Sequence, residues 1–339
     1  MPRYTVVYID PRWALTPEGR VDRELATIER QVLGDDFELR FGPTADGEYT
    51  NSGVEFRSVL GGAHALVISR CCITEEILAA AGDKLKVVCR QGVGFDNLAP
   101  DLLKRAGIIG FNIPDYCVDE VAAHTLALLL ALERGLLKQH QTLSRGRFDP
   151  YAGGIPRRLH DHTAGVIGFG RIGRAVASRL KMFYRDVLAN DPYVSSDLMS
   201  AHGIQKVELE NLLLRTDVVL LHCPLNAETN QMMNAAAFAH MKPSTLLINA
   251  ARGGLVEPRA LLDALDSNCI AGAGIDVFSP ENPHQDEFWA RIVRHCNVIV
   301  SSHRAYLSRE SEFNQRRRAA EGIKQVLESG RPPITGLLT

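Results

Sequence analysis

The chain has 339 residues, a length that suits about two domains, and its 45% hydrophobic and 23% charged content is that of a globular protein with a sizeable core. A formal net charge of −2 gives no basic footprint for nucleic acid and no polybasic patch for a membrane surface. The seven cysteines (positions 71, 72, 89, 117, 223, 269 and 296) form no CxxC pair and no His/Cys cluster at zinc-ligand spacing. They read as thiols kept reduced in the cytoplasm, with no metal site.

The N-terminus enters a strand almost at once, Tyr4-Thr5-Val6-Val7-Tyr8, and shows no signal-peptide pattern. Strand-like runs follow at 37–41, 65–69, 84–89 and 107–111, separated by helical stretches such as Val21–Leu33 and Thr74–Ala81. The alternation predicts a complete doubly wound parallel sheet, flavodoxin-like, in the first third of the chain. Asn112-Ile113-Pro114 interrupts it, because proline lacks an N–H and holds the residue before it extended. The longest helical pattern then runs from Val118 to Ser144 and ends at Gly146. It is expected to link the domains and to pack on a partner subunit. Its apolar stretch, Val121 to Leu132, is too short to span a bilayer and contains His124. The segment Phe148–Thr163, rich in Gly, Pro, Arg and His, reads as a loop.

A second alternating series begins at Ala164, with strands expected at 164–168, 186–190, 217–221, 244–248, 271–275 and 297–301. Six strands are what two mononucleotide-binding halves supply, so a Rossmann-type domain is expected. The last helix, about Ser308–Ser329, has no strand of its own and is assigned back to the first domain. The expected domains are therefore 1–113 with 307–339 for the substrate and 114–306 for the dinucleotide. A cleft between them would close on the substrate and exclude water.

Gly168-Phe169-Gly170-Arg171-Ile172-Gly173 follows one strand and opens the helical run Ile172–Met182. In that context the glycines have separate tasks: Gly168 permits the tight turn, Gly170 lets backbone approach a pyrophosphate, and Gly173 allows close helix–strand packing. The N–H groups of Arg171 and Ile172 are expected to face the phosphates from a helix N-terminus. Asp191 ends the next strand, near the distance expected for the acid that bonds the ribose hydroxyls, and its charge would repel a 2′-phosphate, so NAD is predicted over NADP. His222-Cys223-Pro224 ends a further strand and reads as a turn under the adenosine half, with Thr229 in reach of a phosphate oxygen.

Arg252, Asp276, Glu281 and His303 each follow a strand-like run. Ligands of open parallel sheets bind beyond the carboxyl ends of the strands, so these residues are expected on one rim. Reduction of a 2-oxo acid needs its carboxylate held and its carbonyl polarised and protonated. The planar guanidinium of Arg252 suits the first two tasks. His303 suits proton exchange near neutrality, and a carboxylate such as Glu281 on one ring nitrogen would fix the tautomer and stabilise the imidazolium. Asp276 is expected to orient the nicotinamide carboxamide. In the first domain, Arg90-Gln91-Gly92-Val93-Gly94-Phe95-Asp96 follows a strand; Gly92 and Gly94 allow consecutive N–H groups to face an anion, and Val93 is placed to touch the nicotinamide. Arg90 is read as a substrate contact.

Arg90–Asn97, Asn112-Ile113-Pro114, the glycine motif, His222-Cys223-Pro224, Asn249–Gly254, Gly274-Ile275-Asp276-Val277 and the Glu281/His303 pair resemble the D-isomer-specific 2-hydroxyacid dehydrogenase family, in family order over roughly 85 to 306. The resemblance implies Arg252, Glu281 and His303 as the catalytic trio. It implies cofactor contacts at Val93, Arg171, Ile172, Asp191, Cys223, Pro224, Thr229, Ala250, Ala251 and Asp276, and a homodimer built on the nucleotide domains. Asp96-Asn97 and His303-Arg304-Ala305-Tyr306 are most similar to the C-terminal-binding-protein branch and its bacterial relatives, with Tyr306 on the substrate side. Departures are Ser301-Ser302 where Thr-Pro is usual, Ala123 for an acid before His124, Asn282 inserted before Pro283, and Tyr306 for tryptophan. Glu281 argues against formate dehydrogenase activity, which uses glutamine there. The leading expectation is an NAD-dependent enzyme interconverting a 2-oxo acid and a D-2-hydroxy acid. Alternatives are an NAD(H)-sensing corepressor-like binding protein and a dehydrogenase for another oxyanion such as phosphite or a phosphonate.

Overall fold

A computed structural model describes residues 2–333 and 335–339; Met1 and Ile334, which fall in the ranges expected for the first domain, lie outside the described residues. The chain divides into two compact units, Met1–Tyr116 with Ser308–Thr339, and Cys117–Leu307.

In unit 1 the order is β1 (Tyr4–Tyr8), α1 (Thr27–Leu33), β2 (Phe37–Phe41), β3 (Thr44–Ala45), β4 (Glu48–Tyr49), α2 (Gly53–Leu60), β5 (Ala65–Ile68), α3 (Glu75–Ala81), β6 (Val87–Arg90), α4 (Pro100–Arg105) and β7 (Ile109–Asn112). Five of these strands form a parallel sheet in the order β2-β1-β5-β6-β7, which is the flavodoxin-like winding. Its central strands are buried on both faces, as a covered parallel sheet requires. The β3–β4 hairpin lies outside the expected elements; its Asp46-Gly47 turn, both residues at positive φ, is the local signal that announces it. The helical stretch expected from Val21 becomes regular only at Thr27, after a short 3-10 turn over Arg23–Leu25.

The last helix, Arg309–Ser329, belongs to unit 1 and starts at a capping box between Ser308 and Ser311. A buried ion pair fastens it: Arg316 Nε and Nη2 donate to Glu29 Oε1 and Oε2 at 2.8 and 2.7 Å. The same guanidinium stacks over Trp13, its central carbon 3.8 Å from the ring centroid. Glu29 is fully buried, so removing either partner would strand a charge in the core.

In unit 2 come α5 (Val118–Glu133), α6 (Leu136–Ser144), β8 (Thr163–Ile167), α7 (Arg171–Leu180), β9 (Asp186–Asn190), α8 (Ser196–Ala201), β10 (Gln205–Lys206), α9 (Leu209–Arg215), β11 (Val218–Leu221), α10 (Ala235–Ala239), β12 (Leu246–Asn249), α11 (Pro258–Asp266), β13 (Gly272–Ile275), α12 (Glu287–Ile292) and β14 (Val298–Val300). The single helix expected over 118–144 is two helices. Gly135 sits in the left-handed region (φ 60) and ends the first run after Arg134. The sheet order is β10-β9-β8-β11-β12-β13-β14, all parallel. Seven strands replace the six expected. The addition is the two-residue β10, the third strand of the Rossmann order, too short and polar for its sequence to betray it; β14 is the strand expected at 297–301.

Candidate active site

The strand order of unit 2 reverses between β8 and β11, so the crevice for a dinucleotide opens where their following loops meet. The glycine turn lies there. Gly168 has φ +92, and a Cβ on it would sit 2.5 Å from the backbone of His222 and Cys223. A Cβ on Gly173 would lie 2.0 Å from the Gly168 carbonyl oxygen. Gly173 therefore packs the helix onto its own turn rather than onto a strand. Over Gly170 a Cβ would meet nothing within 4 Å, so space is open just where backbone has to approach a diphosphate. This pattern of two tight glycines and one open one fits a bound dinucleotide, with the first-turn N–H groups of Arg171 and Ile172 available to its phosphates.

Asp191 follows β9 and holds this turn in place: its Oδ2 accepts from the Phe169 amide at 2.8 Å and its Oδ1 from the Tyr193 amide at 3.0 Å. Tyr193 in turn donates its hydroxyl to Glu228 Oε2 at 2.5 Å, tying the loop after β9 to the loop after β11. Thr229 is bonded within its own loop. Its hydroxyl donates to the Pro224 carbonyl at 2.6 Å and accepts from the Asn226 amide at 2.9 Å. Its hydroxyl thereby closes the turn that follows Cys223-Pro224. Cys223 is buried with Sγ 3.7 Å from Met232 Sδ, and burial pushes its thiol up to about 11. His222 Nε2 is enclosed without a partner among the described residues, and desolvation holds the ring neutral, its pKa pushed down to about 4. No His/Cys/Asp/Glu group with metal-binding geometry occurs among the described residues.

Arg252, Glu281 and His303 follow β12, β13 and β14, three adjacent strands of the same sheet, and so share one rim about 10 Å wide. Asn249, fully buried at the end of β12, shapes the first turn: its Oδ1 accepts from the Ala251 amide at 3.1 Å and its Nδ2 donates to the Arg252 carbonyl at 2.8 Å. Ala250 is buried, and Arg252 rests Nη1 on the Ala251 carbonyl at 2.8 Å. A Cβ on Gly253 would come within 2.1 Å of the Phe278 carbonyl carbon, so the arginine turn lies directly against the loop that carries Glu281. That loop is anchored by Trp289, whose Nε1 donates to the Ser279 carbonyl at 3.0 Å. Glu281 Oε1 then lies 2.5 Å from His303 Nδ1, both side chains partly exposed. The Tyr306 ring meets His303 edge-on, with centroids 6.4 Å apart.

Asp276, just past β13, is bound up within the protein. The side chain has no exposed surface. Its Oδ1 accepts from the Ser301 hydroxyl at 2.5 Å and the Arg304 amide at 3.0 Å, and its Oδ2 from the Ala305 amide at 2.9 Å. Burial pushes its carboxyl up, but hydrogen bonds from His124, Ser301, Ala305 and Arg304 outweigh burial and hold its pKa below the ordinary aspartate value. A carboxylate so engaged braces the loop around His303. His124, Ser301 and Asn249 carry no assigned role in the sequence, and their hydrogen bonds supply one.

In unit 1 the loop after β6 turns its carbonyls inward. Those of Gln91, Gly92 and Val93 accept from Gln315 Nε2 (2.8 Å), the Ile113 amide (3.1 Å) and Asn112 Nδ2 (2.5 Å). Among the described residues, the amides of Val93 and Gly94 donate to no acceptor within the chain. Arg90 folds back on this loop: its Nη1 donates to the Gln91 carbonyl at 3.0 Å and lies across Gly92, where a Cβ would meet it at 1.2 Å.

Residues 126–305 match the family described as "D-isomer specific 2-hydroxyacid dehydrogenase, NAD binding domain". The chain is 34% identical over 310 residues to D-3-phosphoglycerate dehydrogenase of Mycobacterium tuberculosis, covering 90% of this chain and 56% of that protein. It thus spans little more than half the length of that curated relative. A solved structure of D-lactate dehydrogenase from Aquifex aeolicus, complexed with NAD and lactic acid, superimposes with a TM-score of 0.83 at 28% identity, covering 96% of this chain and 95% of that one. An acyclic imino acid reductase in complex with NADPH and D-Arg superimposes with a TM-score of 0.78 at 26% identity, covering 98% of this chain and 99% of that one.

Proposed function

Because the chain belongs to the D-isomer-specific 2-hydroxyacid dehydrogenase family, we propose that it is an NAD-dependent enzyme interconverting a 2-oxo acid and its D-2-hydroxy acid. The observation that carries the reading is the 2.5 Å contact between His303 Nδ1 and Glu281, on the rim that also bears Arg252. With Nδ1 engaged by a carboxylate, Nε2 is the ring nitrogen left to exchange a proton with a substrate. In reduction, His303 gives that proton to the carbonyl oxygen and Glu281 stabilises the imidazolium beforehand. Arg252 holds the substrate carboxylate and polarises the carbonyl. When bound, NADH supplies the hydride. Gly168, Gly170, Gly173, Arg171 and Ile172 would cradle its diphosphate, Asp191 its ribose hydroxyls, and the Cys223-Pro224 turn and Ala250-Ala251 its two halves. The amides of Val93 and Gly94 in unit 1 suit an anionic group, as a 2-oxo acid carries.

A second copy of the chain is the proposed protein partner. Leu136, Leu143, Phe148, Tyr151 and Ile155 are exposed along α6 and the loop after it, an apolar stretch that a homodimer of nucleotide units would cover. Placement in the C-terminal-binding-protein branch rests on Asp96-Asn97 and His303–Tyr306 alone, and a purely sensing role leaves the Glu281–His303 pair without a task. Phosphite or a phosphonate as substrate would draw on Arg90 and Arg304, and Arg90 Nη1 is engaged by the Gln91 carbonyl.

The test is NADH oxidation against glyoxylate, pyruvate, hydroxypyruvate, phenylpyruvate and branched 2-oxo acids, with D-lactate and D-3-phosphoglycerate oxidation in the reverse sense. Turnover of at least one 2-oxo acid is expected, with NADH preferred over NADPH. Arg252→Ala should lower kcat/KM by a hundredfold or more, the scale of ~3 kcal/mol of transition-state stabilisation. Near-wild-type rates in that variant would refute the assignment.

A further inference from the structure

His303 has φ 51, in the left-handed region that side chains other than glycine seldom occupy. Something must hold it there. Its own amide donates to the Asp276 carbonyl at 2.7 Å, and the next two amides donate to the Asp276 carboxylate. The whole turn is therefore wrapped around one buried residue. What fixes that residue comes from two other elements. The Ser301 hydroxyl donates its one proton to Asp276 Oδ1, so its oxygen accepts from His124 Nε2 at 2.8 Å. The bonds thus run one way, from the His124 N–H through the Ser301 O–H to the Asp276 carboxylate. They reach from α5, which packs under β12, β13 and β14, to the turn that presents His303.

We propose that His124 and Ser301 are positioning residues, a hydrogen-bonded strut that sets the backbone of His303 through Asp276. The inference rests on the reading of His303 as the acid–base residue. Neither side chain needs to touch substrate. The strut acts by keeping the imidazole at the angle that meets Glu281 and leaves Nε2 outward. Without the Ser301 hydroxyl, Asp276 Oδ1 keeps the Arg304 amide and its long contact to His124, 3.5 Å away, while the His124 donor loses its nearest acceptor. The turn then relaxes toward ordinary backbone angles and carries the ring with it. A misplacement of about 1 Å is enough to cost up to a hundredfold in rate.

The experiment pairs a removal with a restoration at each end of the strut. Ser301→Ala deletes the hydroxyl and Ser301→Thr returns it; His124→Leu deletes the donor and His124→Gln returns an N–H at similar reach. Two quantities are read: kcat with the best 2-oxo acid beside the NADH Kd from protein fluorescence, and the downfield proton signal of the His303–Glu281 hydrogen bond by NMR, assigned by its loss in Glu281→Gln. Ser301→Ala and His124→Leu should lower kcat about tenfold or more, leave the NADH Kd within twofold, and shift or broaden the NMR signal. Ser301→Thr and His124→Gln should recover most of both. Retention of kcat and of the NMR signal in Ser301→Ala, or failure of Ser301→Thr to restore them in a folded protein, overturns the strut. If Ser301→Ala does not fold, the His124 pair decides by the same readouts. A wild-type protein inactive on every 2-oxo acid would sink the functional reading, while the NMR arm would still decide whether the strut holds the ring.

Discussion

Asp10 in unit 1 and Asp276 in unit 2 perform the same operation on different sheets. Each stands just past a strand and accepts amides from the loop after the neighbouring parallel strand. Asp10 follows β1 and takes the amides of Ser69, Arg70 and Cys71 at 2.7, 2.5 and 2.8 Å, beyond β5. Asp276 follows β13 and takes those of Arg304 and Ala305 beyond β14. The difference lies in what else holds the carboxylate. Asp276 also receives a side chain, Ser301, backed by His124 from a helix; the three donors to Asp10 are all backbone amides. A backbone-only bracket fixes the path of a loop and leaves its side chains open to change. A bracket reinforced by side chains fixes one particular orientation. Under the proposed function, the loop at 69–71, at the point where the strand order of unit 1 reverses, would discriminate among substrates, and the loop at 303–305 would carry the chemistry.

Deleting each bracket tests that contrast, with the larger loss at Asp276. Asp276→Ala would leave two amides and a hydroxyl without their acceptor in a buried setting. A loss on the order of 3 kcal/mol in stability is expected, with kcat down a hundredfold or more. Urea unfolding and steady-state kinetics read both. Asp10→Ala should destabilise by about 2 kcal/mol and raise KM for the 2-oxo acid while changing kcat less than threefold. Equal effects of the two variants on kcat would remove the distinction.

The pH dependence of stability sharpens it further. Asp276 has a folded-state pKa below the ordinary aspartate value, despite the opposing push of burial. Its contribution is full above the unfolded-state value near 4 and is lost as pH falls through the lowered folded one. Glu133, at the end of α5, runs the other way: burial raises its carboxyl, and the Tyr184 hydroxyl donating at 3.0 Å does not cancel that rise. Its contribution is full below the unfolded-state value and is lost as pH rises through the raised folded one. Wild type should therefore lose its advantage over Asp276→Asn below about pH 4, whereas Glu133→Gln should gain on wild type as pH rises. Denaturant midpoints between pH 3 and 8 report both trends.

The strands of both sheets were legible because fully covered parallel strands are short apolar runs bounded by turn residues. Gln205–Lys206 was not, since a two-residue polar strand has no such signature and exists only because β9 lies beside it. Arg252, Glu281 and His303 stood out as polar residues at strand ends. The bond between Glu281 and His303 follows from their loops leaving adjacent strands. What Asp276 and Thr229 bind was hidden. A strand-end acid looks alike whether it faces a ligand or a neighbouring loop, and only placed side chains tell the two apart. His124 and Ser301, 177 residues apart in sequence, meet through packing of a helix under a sheet, which no local pattern encodes.

Asp191 is the third bracket and the one with work left over. It follows β9, accepts the Phe169 amide from the loop after β8, and stays partly exposed beside the glycine turn. Its charge therefore both shapes the turn and faces whatever sits there. Asp191→Asn separates the two tasks. A carboxamide oxygen still accepts one amide, so a loss of only about 1 kcal/mol in stability is expected. The charge that disfavours a 2′-phosphate disappears, and the preference for NADH over NADPH should fall about tenfold, the scale of one unit charge a few ångströms away in a partly screened setting. It should not invert, because Tyr193 keeps Glu228 fastened to the same loop. Measured kcat/KM ratios for the two cofactors decide. An unchanged ratio would mean that Asp191 serves only as a bracket, like Asp10.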